Sequence, residues 1–551
     1  MMSLRKFKWK SILIPSMILP LIFMVQCKKS EQKMNEEPLV AMEVSERGES
    51  VIKSIFHPLS GIQLDSTKIE GFLIDHPDFK KYEQDFYEFY GHRHYNYAWF
   101  DQQGMIEQAM VLYHHLQSED DDGIAVEIPY EEKLKALLES VSEGDNDQPD
   151  ENTLDTELML TGQYFVYANR KIEGSEALAT EKMDWYLPKK NLKYAELLEQ
   201  IVEGKDVEQV EGAVMQNQYG QLKQALRDYR EILPGDTLGN IDMLTKPKVL
   251  KPGDSSSVLP KIKGKLAMIK MFRDQDRTNH YNEELAEAVK LFKTTHGLKG
   301  DSLITNEMIE QLNVPVEQRI EQLVTNMERF RWVPADFSHD EFILVNIPEF
   351  QLHYYENKKE VWNCNVVVGK PMTNTVIFSG EMQYVVMSPY WNIPTSIINK
   401  EVKPGIKRDP NYLAKHNMDW NGGNVRQKPG PSNSLGRVKF IFPNSNNIYL
   451  HDTPAKRLFN EDQRAFSHGC VRVGEPRELA IRVLKQDSTW TPSKIDAAMS
   501  NSYETTVVLK KRIPVYIGYF TAFFDKNGHL NFRNDVYHRD NRLLKMITSS
   551  S

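Results

Sequence analysis

Cysteine is scarce in this chain, which has only Cys27, Cys364 and Cys470 among 551 residues. A small secreted scaffold held by disulfides needs several cysteine pairs, so that class of protein is excluded. Because Cys27 ends an apolar N-terminal run, Cys364 and Cys470 are left to form one bridge at most. We favour a free and reactive Cys470, because it directly follows a glycine and precedes a predicted strand.

Long hydrophobic runs and long basic runs are also missing. The apolar stretch from Ile12 to Val25 contains Pro15 and Pro20 and falls short of the roughly 20 residues that span a bilayer, which disfavours a permanent transmembrane helix. The chain has 68 basic and 77 acidic side chains, a net charge of −9, and no long basic block beyond its extreme N-terminus. A nucleic-acid partner is therefore not predicted.

The N-terminus has the pattern of an export signal. Basic residues from Arg5 to Lys10 precede the apolar run, which ends at Cys27. Residues 1–27 are predicted to be a signal peptide or a lipoprotein signal with Cys27 as the lipidated residue. A plain signal peptide and an uncleaved anchor are the alternatives. We expect a protein of the periplasm or cell envelope that contacts the membrane through this signal or lipid anchor.

The length of the chain predicts several folding units, since 551 residues exceed one ordinary core. Stretches rich in proline, glycine and charge mark the joints between segments of different hydrophobic period. The predicted fold class is α+β and multidomain. The predicted units are a tether at 28–50, a helical scaffold domain at 51–250, a small three-helix domain at 251–315, a connecting helix at 316–335, a mostly antiparallel β domain at 336–512 with an insertion at about 400–437, and a C-terminal hairpin and tail at 513–551.

Helical periodicity dominates the first half of the chain. Apolar residues from Ile106 to Tyr113, for example, follow the i, i+3, i+4, i+7 rule. Three shorter helical patterns follow, and Thr305 is suited to cap the last of them. The histidines near the acidic run 119–122 repeat no metal-ligand spacing, so no metal site is predicted there.

The hydrophobic period changes after Pro334. Short β-branched or aromatic runs, separated by glycine, proline and asparagine, predict the strands of an antiparallel domain. Between 400 and 431 the composition is polar and rich in proline and glycine, which predicts an inserted flap over a site. The runs 515–524 and 530–532 are predicted to be the two arms of a hairpin.

One stretch contains the parts that a cysteine nucleophile needs. Cys470 follows Gly469, and His451 ends a predicted strand 19 positions upstream. An imidazole must take the proton of the thiol or hold the ion pair, because a thiol is only a few per cent ionised at neutral pH. His468 is a competing base, since side chains two residues apart in an extended backbone share a face. The amides of Gly469 and Cys470 are candidate donors to an oxyanion.

The motif around the cysteine resembles the signature of the L,D-transpeptidases, the YkuD-type cysteine enzymes of bacterial wall synthesis. It consists of His451, fifteen further residues and then Ser467-His468-Gly469-Cys470-Val471-Arg472. Residues 251–315 resemble the small peptidoglycan-binding domain of wall enzymes, with a spacer that binds no sugar as the alternative. Further motifs resemble the large periplasmic members, which have a helical scaffold and an inserted capping subdomain: Asn326–Trp332, Val367–Pro371, Phe378–Gly380, Trp391–Pro394, Arg408–Leu413 and Gly430–Phe440.

The resemblance implies that Cys470 is the nucleophile and that His451 is its general base. The backbone carbonyl of Asp452 would orient the imidazole, and the amide of Gly469 would help to bind the oxyanion. Whether the Asp452 carboxylate also raises the pKa of His451 stays open, because glycine or serine is frequent at this position in relatives.

The resemblance also implies a set of substrate-binding side chains. Arg472 either faces the pocket near the carboxylate of the substrate or is a strand residue paired across the sheet. Ser467 and His468 either contact the substrate or only shape the loop. The complete set is Ser467, His468, Arg472, Tyr449 and Trp391.

The reaction that the resemblance implies has two steps. Cys470 forms a thioester with the third residue, a diamino acid, of a donor tetrapeptide stem, and the terminal D-alanine leaves. The side-chain amine of a second stem then attacks the thioester to give a 3→3 cross-link. Neither a metal nor an organic cofactor is implied.

Peptidoglycan stem peptides are the partners that this reaction implies, and other wall-synthesis proteins are candidate partners of the N-terminal scaffold. Two alternatives within the same fold are an L,D-carboxypeptidase and a protein-to-wall ligase. A third alternative, from a different class, is a non-catalytic wall-binding scaffold.

Overall fold

The fold is that of a computed structural model, which describes residues 60–117, 128–143, 150–174, 183–187, 190, 192–273, 277–333 and 339–548. The predicted signal at 1–27, with Cys27, and the predicted tether at 28–50 lie outside these ranges. Over the described ranges, no helix is both long and apolar enough to cross a membrane.

Helices predominate in the described chain up to residue 232, as the periodicity predicts. The central helix, Glu151–Ala168, begins with a capping box in which the Asp150 side chain accepts from the Thr153 amide at 2.8 Å. An aromatic-rich core surrounds this helix. Two short strands, β1 (Phe100–Asp101) and β2 (Gly104–Met105), form a hairpin. The helices of this region are Thr67–Asp75, Glu83–His92, Glu107–Gln117, Glu131–Glu143, Glu151–Ala168, Tyr194–Val202, Val207–Ala213 and Asn217–Ile232.

Part of the predicted scaffold range, 51–250, packs outside the aromatic-rich core. The strand β3 (Trp185–Tyr186) and the helix Asn217–Ile232 instead pack into the core of the C-terminal β domain. A helical period shows that a segment has one apolar face, but not which core receives that face.

The predicted three-helix domain is present but begins before residue 251. The Thr305 hydroxyl caps the third helix, as predicted, by accepting from the Met308 amide at 3.4 Å. The shared core also contains Ile241 and Leu244, so the predicted boundary cuts through this unit. Its helices are Leu259–Met268, Glu283–Thr295 and Asn306–Leu312.

The connecting helix, Val316–Trp332, is buried along most of its C-terminal half. Arg331 pairs with Glu328 at 2.9 Å, and Arg329 pairs at 2.7 Å with Asp540 at the start of the C-terminal helix, Asp540–Thr548. Charged side chains are tolerated in an interior when they are paired in this way. The pair between Arg329 and Asp540 joins distant parts of the chain, which the amphipathic pattern of the helix does not reveal.

The C-terminal β domain is built on a sheet that closes on itself. The strands after β3 are β4 (Glu341–Asn346), β5 (Gln351–Glu356), β6 (Lys359–Gly369), β7 (Ile377–Met387), β8 (Trp391–Asn392), β9 (Met418–Asn421), β10 (Asn424–Gln427), β11 (Val438–Ile441), β12 (Leu450–His451), β13 (Ala465–Ser467), β14 (Val471–Val473), β15 (Thr505–Gly518), β16 (Ala522–Phe524) and β17 (Leu530–Phe532). Antiparallel pairs predominate among the described strands of this sheet, as predicted, but β12 with β14, β13 with β6, β15 with β4 and β3 with β7 are parallel. Because β11 bonds both β12 and β7, the path of strands returns to its start and encloses the main core.

Alternation along β12 and β14 separates the two faces of this sheet. Leu450 is paired with Val471, and both lie in the enclosed core. The next pair, His451 with Arg472, therefore lies on the outer face. The signature residues with reactive or charged side chains thus lie on the outer face of the closed sheet, while their apolar neighbours pack into the core.

The insertion is a folded subdomain that begins at β8, earlier than the predicted start near 400. The strands β8, β10 and β9 form a three-stranded sheet in that order, and short helices at Lys403–Arg408 and Tyr412–Lys415 lie between β8 and β9. Four buried side chains give the insertion a small core of its own: Ile393, Ile398, Val402 and Val425.

The C-terminal hairpin is shorter than predicted. Residues 515–518 belong to β15 and pair within the closed sheet, so only β16 pairs with β17. The predicted boundary at 513 falls inside β15, because a change of strand partner leaves no mark on a period-2 pattern. After β17, Arg533 donates to the Thr295 carbonyl at 2.6 Å and ties the hairpin to the three-helix unit.

Candidate active site

The pairing of β12 with β14 brings the predicted nucleophile and base onto one face. His451 is paired with Arg472 in parallel register. The Val471 amide donates to the Tyr449 carbonyl at 3.3 Å, which places Cys470 beside Tyr449. Because side chains alternate along a strand, Tyr449, His451 and Cys470 all lie on the outer face.

His451 is 5% exposed and is held by its own backbone neighbour. Its Nδ1 donates to the carbonyl oxygen of Asp452 at 2.5 Å, in the arrangement that the resemblance implies. This contact assigns the proton of the neutral ring to Nδ1 and leaves Nε2 as the acceptor. Burial, reinforced by the nearby charge of Arg472, lowers the pKa of His451 to about 4, so the imidazole is neutral at pH 7.

Cys470 is a free thiol, and so is Cys364, so the alternative of a bridge between them is wrong. Cys364 lies in β6 and points into the enclosed core, on the opposite face of the sheet. The Cys470 Sγ is 3.8 Å from the carbonyl oxygen of Asn447 and within hydrogen-bonding reach of the Tyr449 hydroxyl. Burial raises the pKa of the Cys470 thiol, against the opposing effect of the Tyr449 contacts.

The free site therefore holds a neutral thiol near a neutral imidazole. The pKa of Cys470 lies above its ordinary value and the pKa of His451 lies below its own, so neither shift favours a thiolate–imidazolium pair. Proton transfer must then accompany attack on a bound carbonyl, as in general base catalysis.

His468 is not placed as the competing base. Its side chain is exposed, and it lies in the bend between β13 and β14. The φ angle of Gly469 is +117°, which interrupts the extended backbone on which the expected common face of His468 and Cys470 depended. That expectation was wrong because the glycine turns the chain between the two side chains.

Ser467 closes this bend with its hydroxyl. Its Oγ donates to the Cys470 carbonyl at 2.6 Å and accepts from the Gly469 amide at 3.1 Å. The Gly469 amide is therefore engaged in this structure, and its use as an oxyanion donor stays a prediction. Among the described residues, no acceptor lies within hydrogen-bonding distance of the Cys470 amide, which is left as the candidate donor.

Thr375, which no sequence motif of the site includes, orients the Cys470 amide. Its Oγ1 donates to the Gly469 carbonyl at 2.8 Å and accepts from the Gly369 amide at 2.9 Å. The carbonyl and the amide of a trans peptide point in opposite directions. Anchoring the Gly469 oxygen therefore directs the Cys470 N–H away from Thr375.

Tyr537 supports Thr375 from the C-terminal segment. Its hydroxyl donates to the Gly369 carbonyl at 2.8 Å and accepts from the Thr375 amide at 3.2 Å. Tyr519 stacks on the Tyr537 ring with a centroid distance of 5.6 Å. Thr375 and Tyr537 are 162 positions apart, so no local sequence signal could have linked them.

The Asp452 carboxylate organises the loop after β12. It accepts from the Lys456 ammonium and the Thr453 amide, both at 2.6 Å, and from the Arg437 amide at 2.8 Å. Its charge raises the pKa of His451, but burial of the ring and the charge of Arg472 have larger effects in the opposite direction. The carboxylate therefore does not make His451 a cation at neutral pH.

Arg472 and Tyr449 both reach the nucleophile. The charge of Arg472 lowers the pKa of Cys470, and its Nε is buried without a hydrogen-bond partner among the described residues. The Tyr449 ring meets the His451 ring edge-on at a centroid distance of 5.7 Å. These contacts favour the interpretation of Arg472 as a residue of the pocket.

Trp391 lies apart from the strands of the site. It pairs with Gln427 of β10, and its side chain packs against the core of the insertion. In the described structure no hydrogen bond or ring contact joins Trp391 to His451 or Cys470, so packing in the insertion accounts for its burial. Within the same described ranges, no group of His, Cys, Asp and Glu side chains is arranged to hold a metal ion.

Two family models of known proteins match this chain. Residues 340–509 match the family model of the L,D-transpeptidase catalytic domain, YkuD. The chain carries an L,D-transpeptidase catalytic domain. A second family model, for a scaffold domain, matches residues 84–226. The L,D-transpeptidase match includes His451, Cys470 and Thr375 and ends before Tyr537.

One curated relative is a putative L,D-transpeptidase of Haemophilus influenzae, 32% identical over 301 residues. The match covers 49% of this chain and 60% of the length of the relative.

Solved structures of L,D-transpeptidases from Xylanimonas cellulosilytica, Mycobacterium smegmatis and Stackebrandtia nassauensis are similar at 12%, 11% and 12% identity. They cover 50%, 32% and 51% of this chain and 100%, 58% and 96% of their own chains, with TM-scores of 0.18, 0.19 and 0.21. At TM-scores this low, residues of this chain are not matched one by one to residues of those structures.

Proposed function

We propose that this protein cross-links peptidoglycan stem peptides through a Cys470 thioester, releasing D-alanine and forming 3→3 links. The observation that carries the proposal is the position of Cys470 directly before β14, which pairs with the strand of His451, in a matched L,D-transpeptidase domain. The Nδ1 contact of His451 with the Asp452 carbonyl leaves Nε2 to accept the proton of the thiol.

In the first step, the Cys470 sulfur attacks the carbonyl carbon of the third stem residue while its proton passes to His451 Nε2. The carbonyl oxygen becomes an oxyanion, which the Cys470 amide stabilises. The carbon–nitrogen bond to the terminal D-alanine then breaks, and His451 returns the proton to the leaving amine. The products of this step are a thioester and free D-alanine.

In the second step, the side-chain amine of another stem attacks the thioester carbonyl. His451 takes a proton from the attacking amine, the carbon–sulfur bond breaks, and the sulfur recovers a proton from His451. A new amide joins the two stems, and the free thiol is restored. No nucleotide is consumed, because the energy of the broken peptide bond is retained in the thioester.

The test is to incubate the purified protein with tetrapeptide muropeptides and to separate the products, with Cys470→Ala as the control. Cross-linked dimers from the unsubstituted protein alone would support the proposal. Tripeptide without dimers would favour an L,D-carboxypeptidase, and transfer to a protein amine would favour a protein-to-wall ligase. Absence of a thioester in intact-mass spectra, together with unchanged wall binding by Cys470→Ala, would favour a non-catalytic scaffold.

We further propose that the protein acts in the periplasm or cell envelope, where the stem peptides are, and that Cys27 anchors it to the membrane. The support is the basic and apolar pattern that precedes Cys27. Labelling of cells with a clickable fatty acid should mark the protein, and Cys27→Ala should remove the label. A label retained by Cys27→Ala would contradict lipidation at this position.

A further inference from the structure

Lys439 is a half-buried cation next to the base, and no sequence motif includes it in the site. It lies on β11, directly opposite His451 in antiparallel register, so both side chains lie on the outer face. The Lys439 side chain is 17% exposed. Its paired carboxylate, Glu504, is 4.0 Å away, at the outer limit of an ion pair. Burial lowers the pKa of Lys439, as expected of an ammonium with a weak partner.

Arg472 lies on the other side of His451, on β14. Three adjacent strands therefore place Lys439, His451 and Arg472 in one row on the outer face, with the imidazole between the two cations. The Arg472 Nε has no partner among the described residues. Buried cations that lack close counter-ions are costly, and an anionic ligand placed between them would remove that cost.

The proposed reaction supplies such an anion. The bond to be broken is the one that joins the last residue of the donor stem, so a free terminal carboxylate lies one residue from the attacked carbonyl. A carboxylate held at the nucleophile would therefore reach the surroundings of His451. The ligand chemistry is a planar anion that accepts from both an ammonium and a guanidinium.

We propose that Lys439 binds the terminal carboxylate of the donor stem together with Arg472, and that Lys439 leaves Glu504 when the stem binds. This inference rests on the proposed function, since it names the part of the stem that the row of cations recognises. Lys439 thereby selects stems that end in a free carboxylate next to the scissile bond.

Glu504 is placed to release Lys439 without losing its own position. Its Oε2 accepts from the Tyr390 amide at 2.9 Å, just before the insertion begins at β8. This hydrogen bond keeps Glu504 in place when the ammonium moves. Glu504 thus competes with the substrate for Lys439, and removing its charge should strengthen the binding of a carboxylate.

The test measures equilibrium binding to Cys470→Ala protein, which cannot form a thioester. The two probes are the donor tetrapeptide with a free terminal carboxylate and the same peptide with a terminal amide. We expect the acid to bind about 10- to 100-fold more tightly than the amide, as for other hydrogen bonds to charged groups. Lys439→Met should lower the ratio of acid to amide affinity about tenfold, and Lys439→Arg should retain most of that ratio.

Two further variants separate recognition from structure. Lys510→Met is the matched control, because Lys510 pairs with Asp487 at 3.1 Å and is 58% exposed; it should leave the preference unchanged. Glu504→Gln should tighten binding of the acid several-fold and leave binding of the amide as it was. If Lys439→Met weakened both probes equally, or if Glu504→Gln had no effect on the acid, the proposal would be overturned.

This outcome is separable from that of the proposed function. If the preference for the acid depends on Lys439 but no dimers form from muropeptides, the carboxylate site is supported and the cross-linking activity is contradicted. If dimers form but acid and amide bind equally well, the cross-linking activity is supported and the carboxylate site is contradicted.

Discussion

Replacing Thr375 by valine tests whether a buried hydroxyl orients the oxyanion donor. Valine has nearly the shape of threonine, so the change removes two hydrogen bonds with little change of volume. These are the bond to the Gly469 carbonyl at 2.8 Å and the bond from the Gly369 amide at 2.9 Å. Thr375 is fully buried, and so are both backbone partners, so water cannot replace the lost contacts.

The magnitude follows from these two contacts. Each buried backbone group left without a partner costs about 1–3 kcal/mol, so the loss of two partners in Thr375→Val should lower the free energy of unfolding by about 2–6 kcal/mol. The effect on rate arises differently. Once the Gly469 oxygen is released, the peptide plane can rotate, and the Cys470 N–H loses its fixed direction. Loss of a whole oxyanion donor costs about 100- to 1000-fold in rate, so partial loss of its orientation should cost about 10- to 100-fold.

The assay is the rate of acyl-enzyme formation with the tetrapeptide, followed by rapid quenching and intact-mass measurement at saturating substrate. Urea unfolding of the same samples gives the free energy separately. Thr375→Ser keeps the hydroxyl and should recover most of the rate. Tyr537→Phe removes the support one step further away and should give a smaller loss. The reasoning would be refuted if Thr375→Val acylated at the original rate below its unfolding transition, or if Thr375→Ser lost as much rate as Thr375→Val.

The remaining predictions concern the base and the loop that holds it. His451→Ala should abolish acylation nearly as completely as Cys470→Ala, with His468→Ala close to the unsubstituted protein; equal acylation by the protein with and without His451 would contradict its assignment as base. Because His451 must be neutral to accept a proton and its pKa is lowered to about 4, acylation of the free enzyme should hold its rate from pH 7 down to about pH 5 and fall only near pH 4. A fall centred near pH 6.5 in kcat/KM would show that burial does not shift the ring. Gly436→Ala should lower the free energy of unfolding by about 1–3 kcal/mol, because Gly436 has φ of +63° and a Cβ there would lie 2.3 Å from the Asp452 side chain. An unchanged midpoint of urea unfolding would argue against this strain.

Local patterns were sufficient wherever neighbours along the chain decide the structure. The hydroxyl of Thr305 caps the helix that its position predicted. The apolar positions of β12 and β14 alternate as a period of two requires, and this alone places Leu450 inward and His451 outward. The pairing of a histidine with a cysteine nucleophile also followed from residue types and spacing, since few side chains can take a proton from a thiol.

Tertiary packing decided what residue types leave open. The helix Asn217–Ile232 lies within the predicted scaffold range but packs its apolar face into the core of the C-terminal β domain, and its helical period did not specify which core would receive that face. The Gly469 amide was expected to face an oxyanion, yet the Ser467 hydroxyl takes it. The direction of a backbone amide depends on torsion angles and partners, which residue identity at Gly469 does not specify.

The sequence by itself determined the change from helices to strands and the presence of a cysteine with two histidines suited to act as its base, because these depend on residue type, spacing and hydrophobic period. The choice of His451 and the kind of domain came from the resemblance of the motifs to the L,D-transpeptidases. Only the tertiary structure decided that Thr375 and Tyr537 orient the nucleophile loop and that Lys439 lies beside the base. The physical reason is that these contacts join residues from separate segments, brought together by sheet closure and strand register. Such contacts have short range in space but no fixed separation along the chain.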